Sequence, residues 1–181
     1  MLPIEKIAEE CAGFGINLDN LAKERLDRYA SLLLEWNQKM NLTAITQPEE
    51  IAEKHFLDCL YLFKFCRVEQ QAKWIDVGTG AGFPGIVLKI ARPDIQLTLL
   101  DGLNKRLLFL QEVLAELGLS AERLHLRAEE GGRQPELREA FDYATARAVA
   151  RLPALAEYCM PFVRCGGHFL CMKGPAAEEE L

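Results

Sequence analysis

The sequence predicts an α/β protein, a doubly wound parallel sheet preceded by a small helical cap. From residue 73 onward, short apolar runs alternate with stretches of helical periodicity, which is the pattern of parallel strands joined by helical crossovers. Before residue 70 apolar residues recur at three- and four-residue spacing, as on the buried face of a helix. A third observation marks the corner around which the chain is organised. Trp74-Ile-Asp76-Val-Gly78-Thr-Gly80-Ala-Gly82-Phe-Pro-Gly85 reads as a buried strand ending in one carboxylate, a glycine-rich turn and the start of a helix.

The first helix is expected from Ile4 to about Ala12, closed by Gly13-Phe-Gly15. Leu21, Leu26, Tyr29, Leu32, Leu33, Trp36 and Met40 trace one face of a second helix from Asn20 to Met40. Pro48-Glu-Glu opens a third, running to about Cys66. Residues 1–70 form the expected cap and residues 71–181 the sheet domain. That domain begins with a strand at Lys73–Val77 and a helix from Pro84 to Ala91, stopped by Arg92-Pro93. A second strand spans Gln96–Asp101. Asn104 should cap a long helix that Gly118 ends. A third strand (123–127), a loop (128–140), a fourth strand (141–146), a helix (152–163) and a fifth strand (168–172) complete the series. Right-handed crossovers bring the loops after successive strands to one sheet edge. Gly78–Gly82, Asp101, Ala128-Glu129 and Ala146-Arg147 should therefore ring one crevice.

The glycine turn admits three readings. A P-loop requires Lys and Ser/Thr after its last glycine; Ile86 and Val87 follow Gly85, so no lysine would reach a phosphate. Gly80-Ala-Gly82-Phe-Pro-Gly85 does match the dinucleotide spacing, with Asp101 about 20 residues on. Asp76 argues against it, because a carboxylate at the end of the first strand would repel a pyrophosphate. The same charge suits a cofactor without phosphates and with a cationic centre, and S-adenosylmethionine is one.

At 181 residues the chain can bury one good core and a smaller appendage. No apolar run approaches the roughly 18 residues of a membrane span, and Met1-Leu-Pro-Ile-Glu-Lys lacks the features of a signal peptide. A cytoplasmic protein is expected. Its six cysteines show no C-x-x-C spacing and its three histidines are scattered, so no metal site is expected. The net charge of −6 is concentrated in the first 70 residues and the final seven, leaving a near-neutral sheet body that holds most of the arginines and permits a local basic face.

Several further stretches carry a resemblance: Trp36-Asn37 with Asn41-Leu-Thr43, His55 and Asp58 on one helix, Lys105-Arg106 after Leu100-Asp101, Glu129-Glu130, and Ala146-Arg147-Ala148 after Phe141-Asp142. Together with the glycine turn they resemble the bacterial small-subunit ribosomal RNA methyltransferase G family, also called glucose-inhibited division protein B. The resemblance implies a Rossmann-like methyltransferase sheet, S-adenosylmethionine as cofactor, and methylation of guanine N7 in 16S rRNA, with the rRNA or the small ribosomal subunit as partner. Family members continue beyond the fifth strand with a terminal strand pair that this sequence lacks. The fifth strand is then expected to be an exposed apolar edge, a route to oligomerisation. A cofactor-binding but inactive fragment and a small-molecule methyltransferase are the alternative readings.

On this reading Asp76, Gly78, Gly80 and Gly82 face the cofactor, and Asp101 accepts from its ribose hydroxyls. Phe83 lines the pocket or serves as a core contact at the helix start. Ala128 and Glu129 meet the adenine, unless Glu130 takes that place. The resemblance puts Arg147 at the cofactor, while chemistry also allows it guanine O6. Lys105 and Arg106, positive charges in the first turn of a helix, are expected either to contact substrate phosphates or to be a solvated pair. N7 has a lone pair and no proton to lose, so no general base is expected. His55 and Asp58 should brace the cap against the sheet.

Overall fold

The computed structural model describes residues 2–147 and 151–174. Five strands, β1 (Lys73–Val77), β2 (Gln96–Asp101), β3 (Glu122–His125), β4 (Phe141–Arg147) and β5 (Val163–Met172), form one parallel sheet in the order β3-β2-β1-β4-β5. The order reverses between β1 and its two neighbours, so the C-terminal ends of β1, β2 and β4 open onto a switch-point crevice.

The period-2 alternation of β1 decides what packs on each face. Trp74 joins a cluster with the N-terminal helices and with α6 (Gly85–Ala91) and α7 (Asn104–Glu116). Ile75 and Val77 join a second cluster that includes Leu155 and Cys159 of α9 (Leu152–Cys159) and Phe162. The N-terminal helices are α1 (Ile4–Gly13) and α2 (Asn20–Asn37), followed by a helical run over α3 (Pro48–Glu50), a π-helical segment (Ile51–Leu57), α4 (Asp58–Leu60) and α5 (Leu62–Phe65). Asp19 caps α2, accepting the Ala22 N–H at 2.7 Å.

Several boundaries differ from expectation for identifiable reasons. The second helix stops at Asn37 because that side chain leaves the helical pattern to hold the next loop. Its Oδ1 accepts from Leu42 N and Thr43 N, at 2.8 and 3.0 Å, and its Nδ2 donates to Thr43 O at 2.9 Å. The third helix contains a π segment, a widening that apolar spacing does not reveal. Asn104 is the first residue of α7 and does not cap it. Asp101 organises that entry, accepting the Leu103 N–H at 2.9 Å. β3 ends at His125, and the expected loop opens with a short helix, α8 (Ala128–Gly131), whose N-terminus is closed by Glu130 accepting from Arg127 N. The final helix gives way at Met160 to a 3₁₀ turn containing Pro161, and β5 starts five residues earlier than expected, at Val163. The extra length is accommodated by a register shift opposite Phe141 and Tyr143. Gly167 permits it, since a Cβ there would lie 2.7 Å from Asp142 O.

Candidate active site

Asp76 sits at the penultimate position of β1, facing the cap side of the sheet, and is completely buried. The strand delivers it beneath the glycine turn, where its Oδ2 accepts from the Thr79 hydroxyl at 2.6 Å and from the Gly85 N–H at 3.0 Å. Its Oδ1 accepts from the Thr145 hydroxyl at 3.2 Å, and that hydroxyl in turn accepts from the Trp74 indole at 3.0 Å. Burial pushes the carboxyl up to about 6, against the lowering influence of these hydrogen bonds and of Arg147. The Asp76 side chain thus lies beneath the turn and ties it to the first turn of α6.

The turn follows from that anchoring. Gly78 and Thr79 both donate their N–H groups to Leu100 O, at 2.8 and 3.1 Å, which fastens the turn to β2. Gly78 and Gly80 take φ values of 66° and 59°, the left-handed region where glycine is favoured, and both line the crevice. Gly82 also has positive φ, but its missing Cβ serves packing within the protein. A methyl there would fall 2.6 Å from Tyr29 Oη and 2.8 Å from Leu110 Cδ2. Tyr29, from the helical cap, donates its hydroxyl to Ala81 O. Gly82 is thus where the cap docks onto the turn.

The crevice has a volume of about 680 Å³. Asp101, at the end of β2, forms part of its wall and is only 2% exposed. Its carboxylate accepts from Gly80 N at 2.9 Å, Leu103 N at 2.9 Å and, more weakly, Arg106 Nη1 at 3.4 Å. A carboxylate has roughly four acceptor sites, so at least one remains for a ligand hydroxyl, and the long Arg106 bond is readily exchanged. Leu126, Ala128, Glu129 and Tyr158 line another part of the wall. Glu130 is occupied as the cap of α8, which leaves Glu129 as the carboxylate lining the crevice beside Ala128. Arg106 lines the crevice, whereas Lys105 is exposed and does not.

Another part of the wall is built from both halves of the chain. Arg147, at the end of β4, lies with its guanidinium carbon 4.8 Å from the centre of the Phe83 ring. Its Nη2 is 3.0 Å from His55 Nδ1, and its Nη1 donates to Lys54 O at 3.3 Å and lies 3.9 Å from Asp58 Oδ2. The His55 ring stacks on Phe83 with centroids 4.4 Å apart, and its Nε2 is 2.8 Å from Thr43 Oγ1. Burial first, and Arg147 second, push His55 down to about 4, so it is neutral at physiological pH. His55 and Asp58 thus reach β4 directly, and His55 itself lines the crevice.

The residues fit a phosphate-free nucleoside cofactor better than a dinucleotide. The Gly85 N–H, at the start of α6, is the donor a pyrophosphate would need, and the chain's own Asp76 takes it. Among the described residues no group of three or more His, Cys, Asp or Glu is arranged to hold a metal.

Comparison with known proteins agrees with this geometry. The family model described as rRNA small subunit methyltransferase G matches residues 22–181. The chain belongs to that family. It is 52% identical over 176 residues to the ribosomal RNA small subunit methyltransferase G of Alkaliphilus metalliredigens, an overlap of 97% of this chain and 74% of that relative. The protein of the same name from Clostridium perfringens is 51% identical over 177 residues, covering 97% of this chain and 73% of the relative. Solved structures share the fold at lower identity. YcgJ from Bacillus subtilis aligns with a TM-score of 0.55 at 17% identity, covering 65% of this chain and 50% of that one. Precorrin-6y C5,15-methyltransferase from Geobacter metallireducens aligns at 0.51 and 16%, covering 70% and 63%.

Within this member of the family, Leu42, Leu103, Leu126 and Tyr158 are crevice residues that the sequence did not assign to the site. Leu42 comes from a cap loop, within the Asn41-Leu-Thr43 stretch that gave it no site role, and Tyr158 comes from α9, where no local motif marks it. Leu103 follows Asp101 by two positions and was within reach of the strand-end rule.

Proposed function

We propose that this protein transfers the methyl group of S-adenosylmethionine to N7 of a guanine in 16S rRNA. Membership of the rRNA small subunit methyltransferase G family supports the reaction class. The observation that carries the cofactor is the division of labour between two acids: Asp76 occupies the donor a phosphate would need, while Asp101 keeps acceptor capacity for a ribose.

The cofactor, when bound, supplies an electrophilic methyl group on a sulfonium. Gly78 and Gly80 let the turn approach it, Asp101 accepts from its ribose, and Glu129 accepts from its adenine amino group. Phe83, His55 and Arg147 form the wall at which a base enters. N7 attacks through an in-plane lone pair and loses no proton, so alignment and a tolerant electrostatic field suffice. The site agrees with that need: His55 is neutral, with both ring nitrogens engaged by Thr43 and Arg147. In this reading Arg106, which lines the crevice, and the neighbouring Lys105 contact substrate phosphates.

Residues 1–70 act in this reading as a cap that carries part of the wall, and residues 71–181 as the cofactor-binding domain. The enzyme works in the cytoplasm, where the small ribosomal subunit is found. No helix among the described residues is long and apolar enough to cross a membrane. Among the described residues β5 is an edge of the sheet, and self-association through it is the oligomeric route we propose, tested by sedimentation at increasing concentration.

The deciding assay incubates the protein with methyl-labelled S-adenosylmethionine and small-subunit particles lacking native 7-methylguanosine. Labelled 7-methylguanosine in 16S rRNA is expected. Label in a different nucleoside, or cofactor binding with no transfer, overturns the assignment.

A further inference from the structure

We propose that His55 is a positioning residue for Arg147, accepting a hydrogen bond from the guanidinium at Nδ1 and so holding it against Phe83 at the crevice wall. This deepens the methyltransferase reading and rests on it.

The hydrogen-bond direction is fixed by chemistry. A guanidinium can only donate, so the His55 nitrogen 3.0 Å from Arg147 Nη2 carries the lone pair. In a neutral ring the proton then sits on Nε2, which donates to Thr43 Oγ1 at 2.8 Å. Thr43 Oγ1 also accepts the Ile45 N–H at 3.0 Å, and the loop that carries it is pinned by Asn37. A chain of fixed contacts thus runs from the end of α2, through Thr43 and His55, to the arginine at the end of β4.

Among the described residues no other contact would hold Arg147 as well. The Lys54 carbonyl is at 3.3 Å, and the Asp58 carboxylate is 3.9 Å away on an exposed side chain, a separation at which an ion pair contributes little. Phe83 supplies a surface but no direction. Among the described residues the charged group against the His55 ring is Arg147 from β4, whose own carboxylate neighbour Asp58 lies 3.9 Å from it; Lys54 offers that arginine its backbone carbonyl, and Thr43 and Phe83, from the other packed segments, are neutral. Protonation of His55 would place an N–H against the guanidinium and release it. The chemistry that a fixed guanidinium recognises is a pair of acceptor atoms in one plane, found on a cofactor carboxylate and on the O6/N7 edge of guanine.

Two substitutions separate positioning from packing. In H55N the amide oxygen lies close to the place of Nδ1 and can still accept from Arg147, whereas the longer amide of H55Q reaches toward the place of Nε2. Methyl transfer to small-subunit particles would be measured with kcat and KM determined separately for cofactor and particle, alongside thermal unfolding. H55Q is expected to lower kcat/KM by about 10- to 100-fold, the loss when a hydrogen bond to a charged group goes, and H55N by less than about tenfold. A raised cofactor KM places Arg147 on the cofactor, and a changed particle KM or kcat places it on the guanine. Equal losses in both variants, following their unfolding temperatures, overturn the proposal. Nitrogen-15 spectra of the wild-type histidines give a readout independent of turnover. His55 should show an unprotonated Nδ1 and protonated Nε2 from about pH 5 to 8, and Arg147→Met should raise its titration midpoint. A protonated Nδ1 in that range also overturns it. If the spectra behave as expected while no rRNA is methylated, the positioning contact stands and the functional reading fails.

Discussion

The Asp76 carboxylate accepts the Gly85 N–H at 3.0 Å from beneath the turn that joins their elements. That one contact fixes the angle between β1 and α6 and takes a backbone donor out of reach of any phosphate. It also leaves no room for a side chain at position 85. An added Cβ would lie 2.8 Å from both Asp76 Oδ2 and Leu99 Cδ2. Gly85→Ala should therefore destabilise the protein by about 1–3 kcal/mol, as overpacking of a tight interior does. Denaturant unfolding checks this.

Asp76 and His55 give opposite pH dependences in one window. The Asp76 carboxyl is raised to about 6 in the folded protein, so the folded state binds its proton more tightly than the unfolded one, and its contribution to stability falls as pH rises from about 4 to about 6. His55 is lowered to about 4, so the unfolded state binds that proton more tightly, and its contribution rises with pH from about 4 to about 6.5. Each is worth up to about 3 kcal/mol across its window, and in the wild type the two largely offset one another. Asp76→Asn should leave stability rising with pH, and His55→Asn should leave it falling. Urea unfolding of each variant at pH 4.5 and 6.5 reads the sign directly.

Tyr29 joins the cap to the glycine turn through one buried hydroxyl. Tyr29→Phe removes the donor and leaves Ala81 O without it, at a cost of about 1–3 kcal/mol. Because the lost bond holds the turn, cofactor affinity should weaken alongside stability. Isothermal titration with S-adenosylhomocysteine measures it.

Asp101→Ala should raise the dissociation constant for the cofactor about 10- to 100-fold, because it removes a charged acceptor. It also removes the acceptor for Gly80 N and Leu103 N, so the turn and the start of α7 should loosen in hydrogen exchange.

Glu129 and Glu130 are adjacent and alike in sequence but differ in task. Glu129→Gln should weaken cofactor binding with little effect on stability. Glu130→Gln, at the cap of α8, should cost about 0.5–1 kcal/mol with little direct effect on binding. Paired thermal unfolding and titration separate the two.

The sequence by itself determined the sheet and the position of the crevice. The apolar runs of β1 and β2 have the right length and content for buried parallel strands, and their boundaries at Lys73–Val77 and Gln96–Asp101 are local properties of the chain. Once those strands alternate with helices, handedness alone gathers Gly78, Gly80, Asp101, Glu129 and Arg147 on one edge. Only the tertiary structure decided how those residues divide their work. Asp76 and Asp101 both lie at the C-terminal ends of strands, and which donors each accepts from, Gly85 N–H for Asp76 and the Gly80 and Leu103 N–H groups for Asp101, depends on the backbone that packing brings near. Gly80 and Gly82 are indistinguishable in the motif, but a cap side chain 53 residues before Gly82 claims the space beside only that one. His55 becomes part of the wall because β4 brings Arg147 against it from 92 positions away. Contacts of that kind arise from packing between distant elements, and no pattern within either segment encodes them.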